Sequence, residues 1–110
     1  MTETKENKTY ISISMEEAKE RFKEKGKYLI LDVRTSEEYA VGHIPDSINI
    51  ANENINNLRP AILNDLDQTI YVYCRSGRRS KEAANKLTKL GYKNIIEFGG
   101  IIDWTGEIEK

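Results

Sequence analysis

Apolar positions recur along this chain with two different periods, and the changes between them divide it into strands and helices. Residues 28–33 form a near-continuous apolar run, the pattern of a strand buried on both faces. Residues 70–73 are β-branched and aromatic, read as a second buried strand, and run directly into Cys74. Residues 10–13 predict a short strand, Ile48 and Ile50 alternate with polar neighbours in another, and residues 94–98 supply the last. Between these runs the period lengthens. Met15, Ala18 and Phe22 share one helical face; Ser14 and Glu17 have capping-box spacing, Lys23 and Lys25 suit the last turn, and Gly26 fits the left-handed C-terminal residue. Thr35 and Glu38 repeat the capping-box spacing, predicting a short helix through Tyr39 that ends at Gly42, before Pro45 breaks the chain. Ile55, Leu58 and Ile62 return to helical spacing around Pro60. Ala83, Ala84, Leu87 and Leu90 line a further helix that Ser80 would cap and Gly91 would end.

Strands alternating with helices imply right-handed βαβ crossovers and an α/β fold, with a mostly parallel sheet and helices on both faces. In such sheets the functional crevice lies outside the carboxyl ends of the strands. Asp32 and Arg34 end one strand run and Cys74 ends another, so parallel runs bring them to one edge.

Composition narrows the picture. A chain of 110 residues with 38% hydrophobic and 32% charged residues supports one globular core and no membrane span. Seventeen basic against eighteen acidic side chains give a net charge of -1, so no global field draws the chain to nucleic acid or to an anionic membrane, and any anion site is local. One cysteine excludes an intramolecular disulfide, and one histidine argues against a zinc site; no metal or cofactor is called for. Residues 1–9 are polar after the methionine and read as a flexible tail, leaving residues 10–110 as the folded domain. No apolar stretch follows a basic start, so the default location is cytoplasmic, with the tail as a remnant of a longer exported precursor left open.

The chemistry concentrates in Cys74-Arg75-Ser76-Gly77-Arg78-Arg79-Ser80. Three of the six arginines of the chain fall here, no acid does, and the segment links a buried strand to a helix N-terminus. Successive N–H groups in a tight glycine-containing loop, the helix dipole and nearby guanidinium groups make an anion cradle, in which a thiol ionises without a histidine base. A cysteine ending an apolar strand is commonly inert, and arginines after it can be a solvated helix start. Gly77 three positions after the cysteine and Ser80 at the helix start favour the functional interpretation.

Asp32-Val33-Arg34, Glu38-Tyr39, Gly42-His43-Ile44-Pro45, the loop 74–80, and Gly99-Gly100 with Trp104 follow one another in an order that resembles a single-domain rhodanese, a thiosulfate-type sulfurtransferase. The likeness runs from about Ser12 to Trp104; Asp46 stands where the family often has glycine. The resemblance implies a rhodanese-like, five-stranded parallel sheet flanked by helices, with Cys74 as the sulfur carrier. It also implies a small anionic donor, thiosulfate or a persulfide, and an acceptor that is cyanide, a small thiol or a thiol-bearing protein. The amides of residues 75–80 would then cradle a Cys74 persulfide, while Arg75, Arg78 and Arg79 attract the donor. Asp32 and Arg34 are read mainly as structural, supporting residues: a carboxylate orienting loop donors, and an arginine for which a place at the mouth of the site is the lesser alternative. His43 invites comparison with a Cys-His hydrolase, but its setting is that of a packed turn, and Trp104 reads as core.

Two other functions compete. Rhodanese-like folds also serve as phosphatases and arsenate reductases, which carry an arginine six positions after the cysteine to grip a tetrahedral oxyanion; here that position is Ser80, and Arg79 falls one short. A noncatalytic rhodanese-like binding module is the third reading, and retention of Cys74 in a basic loop argues against it.

Overall fold

The two apolar runs become the centre of the molecule. In a computed structural model describing residues 10–110, β2 (Tyr28–Asp32) and β4 (Thr69–Cys74) lie side by side in parallel, with Leu31 opposite Val72 and Asp32 opposite Tyr73. β3 (Ser47–Asn49) pairs outside β2; β5 (Asn94–Gly100) pairs outside β4 and carries β1 (Ile11–Ser12) at the far edge. The order is β1-β5-β4-β2-β3, all parallel. The tail expected over residues 1–9 lies outside the described residues.

Alternation along β4 explains why its whole run is apolar. Ile70, Val72 and Cys74 face one side, packing with Ala83, Ala84 and Leu87 of α3 (Arg78–Lys89). Tyr71 and Tyr73 face the other, against Met15 and Ala18 of α1 (Met15–Arg21) and Phe98. With helices on both sides, a central strand has no polar face to show. No helix among the described residues is long and apolar enough to cross a membrane.

Local signals held where they were chemically complete. In α2 (Ser36–Val41) both halves of the capping box form: Glu38 N donates to Thr35 Oγ1 and Thr35 N donates to Glu38 Oε1. Gly91, just past α3, takes φ +104°, as a left-handed helix end requires.

Two expectations fail. No helix forms around Ile55, Leu58 and Ile62: a 3-10 turn at Asn52–Asn54 is followed by turns, with Ile55 buried while Leu58 and Ile62 are 84% and 62% exposed. Pro60 lacks an N–H and disfavours helical backbone at Arg59, and Asn56-Asn57 favour turns; the core is reached instead through Ile55 and Leu63. The first helix also stops early. It ends at Arg21 with Phe22 as its right-handed cap, not near Gly26, which has no positive φ. Phe22 turns into an aromatic cluster edge-on to Tyr71 and Phe98, at centroid distances of 4.9 and 5.5 Å, and this packing outweighs the C-terminal signals.

Asp46 adopts φ +70°, the left-handed conformation that glycine takes most easily. Its N–H donates to Glu109 Oε1 at 3.3 Å, so the turn forms despite the side chain. Asp46→Gly is expected to leave unfolding free energy unchanged or raise it by up to about 1 kcal/mol, whereas Asp46→Val lowers it by about 1 kcal/mol or more. Urea denaturation of both variants checks this; a stabilising valine would contradict it.

Candidate active site

Cys74 ends the central strand, buried at the carboxyl edge of the sheet. The chain then turns through Arg75 and Ser76 to Gly77, whose φ of +110° makes it the left-handed cap of α3. Gly77 N–H donates to Cys74 Sγ at 2.9 Å. The N–H groups of Arg78, Arg79 and Ser80 occupy the first turn of α3, where amides have no intrahelical acceptor and the helix dipole is positive.

Ser80 is not the cap the spacing predicted. It sits inside the first turn, fully buried, with Oγ 2.7 Å from Glu97 Oε2, 2.9 Å from Gly77 O and 3.5 Å from Cys74 Sγ. Its single proton goes best to the charged carboxylate, which leaves its lone pairs toward the sulfur. The side chain is therefore committed inward, tying the loop at Gly77 and Cys74 to Glu97.

Glu97, 1% exposed, escaped the sequence reading. It accepts from Ser12 Oγ at 2.9 Å, from Ser80 Oγ and from Gly99 N at 2.8 Å, with Lys81 Nζ 3.7 Å away. One acid within the apolar run 94–98, just before Gly99-Gly100, was the available signal. Beside it the β4–β5 register shifts between Val72 and Cys74, and Gly99 takes φ +96°. This bulge brings Gly100 so close to the loop that a Cβ there would run into the Arg75 carbonyl oxygen and Ser76 Cα.

The three loop arginines do not act alike. Arg79 donates through both terminal nitrogens to Glu38, at 2.7 and 3.0 Å. Arg78 pairs with Glu82 at 3.0 Å on the solvent side. Arg75 is exposed and, among the described residues, has no acidic partner. The Arg79 guanidinium is held above its ordinary value, first by its hydrogen bonds to Glu38, with a smaller Coulombic contribution from Cys74 that puts it within electrostatic reach of the sulfur. Glu38 is held down at about 2, first by Arg79, then by the Thr35 bonds, against the opposing effect of burial.

Asp32 and Arg34 reach the same edge but not the expected positions. Arg34 is 6% exposed and forks onto Asp32, with Nη2 2.6 Å from Oδ2, while also donating to Gly42 O at 2.7 Å. Asp32 accepts from Tyr73 OH at 2.7 Å. Burial, then the Asp32 charge, push that phenol well above its ordinary range, so it keeps its proton. Because each buried charge needs its partner, Arg34 is withdrawn from the mouth and Asp32 binds Arg34 and Tyr73 rather than the loop donors. His43 stacks on Tyr39 at 3.7 Å with Nδ1 2.9 Å from the Tyr39 carbonyl, a packed turn residue. No cluster of three His, Cys, Asp or Glu side chains among the described residues could hold a metal ion.

A family model for the rhodanese-like domain matches residues 14–107. The chain is 41% identical over 98 residues to the putative sulfur carrier protein YrkF of Bacillus subtilis, covering 88% of this chain and 52% of that protein. It is 33% identical over 73 residues to thiosulfate sulfurtransferase PspE of Escherichia coli, covering 66% and 70%. Among solved structures, a rhodanese-like domain protein from Staphylococcus aureus matches with a TM-score of 0.76 at 32% identity, over 90% of this chain and 96% of that one. The chain spans about half the length of YrkF and 21% of some longer relatives.

Two outcomes follow from Glu97 and Glu38. Glu97→Ala strands two hydroxyls and an amide, so it should cost about 2–4 kcal/mol of stability in denaturant unfolding, and adding Ser80→Ala should cost little more. Fully additive losses would contradict the linkage. For Glu38 the folded value lies below the unfolded one, so its stabilisation is complete above about pH 4.5 and is lost as the pH falls toward about 2. The stability advantage of the wild type over Glu38→Gln should shrink across that window; a constant difference would show that the Arg79 pair contributes nothing.

Proposed function

The chain belongs to the rhodanese-like domain family, and on that premise we propose that it is a sulfurtransferase carrying sulfane sulfur on Cys74, with thiosulfate or a persulfide as donor. The Cys74 thiolate attacks the outer sulfur of the donor. For thiosulfate, a new S–S bond forms to Cys74 as the old S–S bond breaks, and its electron pair leaves with sulfite. The acceptor, cyanide or a thiolate, then attacks the terminal sulfur of the persulfide, leaving as thiocyanate or a new persulfide and restoring the Cys74 thiolate. Residues 10–110 act as one domain in this reading, and a single free cysteine suits a reducing cytoplasm.

The observation that carries the reading is the Gly77 N–H directed at Cys74 Sγ at the N-terminus of α3. A terminal persulfide sulfur carries negative charge, and the first-turn amides of Arg78, Arg79 and Ser80 are donors of the right sign beside it. The sulfurtransferase and sulfur-carrier names of the relatives support the same class. The phosphatase alternative has less support: the position six residues after Cys74 holds Ser80, bonded inward to Glu97, and Arg79 is bound to Glu38.

Incubation with thiosulfate or a small-molecule persulfide should raise the intact mass by one sulfur atom, and cyanide should remove it. Cys74→Ser should show neither change. Sulfur uptake persisting in that variant, or aryl phosphate turnover that matches sulfur transfer and depends on Cys74, would overturn the assignment.

A further inference from the structure

Charges of both signs surround the cradle. The basic groups at the start of α3 and in the loop are Arg75, Arg78, Arg79 and Lys81, and the acids that face them are Glu38 from α2, Glu82 from α3 and Glu97 from β5. Lys81 Nζ lies over Gly77, 3.5 Å from where a Cβ would stand, and 3.7 Å from Glu97. Three cations therefore have an acid within ion-pair distance, and Arg75 alone has none among the described residues. The loop reads as strongly cationic in the sequence, yet among the described residues it offers about one uncompensated charge.

The strongest of these pairs is also the most fixed. Glu38 cannot turn away from Arg79, because Oε1 also accepts from Thr35 N at 3.0 Å and Thr35 Oγ1 at 3.1 Å, and the pair is about three-quarters buried. Resting on the sulfurtransferase reading of Cys74, we propose that Glu38 is a specificity-determining residue that, by neutralising Arg79, matches the site to sulfur donors bearing one negative charge and against dianions such as thiosulfate. The donor class it favours is the persulfide or thiosulfonate monoanion. A dianion gains twice as much from a free Arg79 guanidinium as a monoanion does, and loses twice as much to the Glu38 carboxylate.

Methanethiosulfonate tests this cleanly, since it is thiosulfate with one charged oxygen replaced by methyl, and it releases methanesulfinate where thiosulfate releases sulfite. Glu38→Gln keeps a side chain suited to the capping box while removing the charge. With cyanide as acceptor at low ionic strength, Glu38→Gln should raise kcat/KM for thiosulfate about three- to tenfold more than for methanethiosulfonate, and added salt should erase the difference. Equal effects on both donors, or a selective loss for thiosulfate, would overturn the proposal. Glu82→Gln, which frees the exposed Arg78, should move the same ratio less and in the same direction, and a shift as large as that of Glu38→Gln would overturn the particular role of Glu38. A second arm does not depend on turnover. Binding of sulfate and methanesulfonate to the Cys74→Ser protein, followed by the amide resonances of residues 75–80, should shift toward sulfate when Glu38→Gln is added. Absence of sulfur transfer from every donor would sink the sulfurtransferase reading, while an unchanged sulfate preference would sink the role of Glu38.

Discussion

One buried carboxylate holds the candidate site together. Glu97 reaches β1 through Ser12, the first turn of α3 through Ser80, and the bulged end of β5 through Gly99 N. A carboxylate that is 1% exposed is tolerated only with such a set of donors, so each bond to it also fixes the backbone that supplies the donor. The bulge it stabilises sets Gly100 against Arg75 and Ser76, and the Ser80 bond pins the helix start under Cys74. The geometry around the sulfur thus depends on contacts made beneath the loop rather than within it.

Above that anchor, charge is distributed with restraint. A cradle built from backbone N–H groups and a helix N-terminus can stabilise a developing anion without side chains that must be ordered at the moment of reaction. The acids that pair with Arg78 and Arg79 offset their charge, and among the described residues Arg75 has no acidic partner. Tyr73, Asp32 and Arg34 form a separate buried network, which ties β2 to β4 and to the Gly42 carbonyl.

Much of this was legible in the chain because the signals were local. The apolar runs of β2 and β4, the Thr35–Glu38 capping box, Gly91 and the cysteine-to-glycine loop spacing all act within a few residues, and all appear in the fold. What stayed hidden depended on partners distant in sequence. Arg79 meets Glu38 forty-one residues away, and Ser80 meets Glu97 seventeen residues away, so the one is already paired with an acid and the other is an inward anchor rather than a helix cap. The helix spacing of Ile55, Leu58 and Ile62 misled for the opposite reason: a local period existed, but Pro60 and the two asparagines broke it before packing could use it. For Glu97 the only local signal is a single charge inside an otherwise apolar run.

In the sulfurtransferase proposed above, the backbone donors of the loop, rather than its arginines, would hold the sulfur on Cys74. A crystal structure of the protein after sulfur loading tests it most directly. The expected result is a second sulfur on Cys74 Sγ, turned into the loop and within hydrogen-bond distance of the first-turn amides of Arg78 to Ser80, with Arg79 still on Glu38. A second sulfur turned out toward solvent, or held by an Arg79 that has left Glu38, would contradict it.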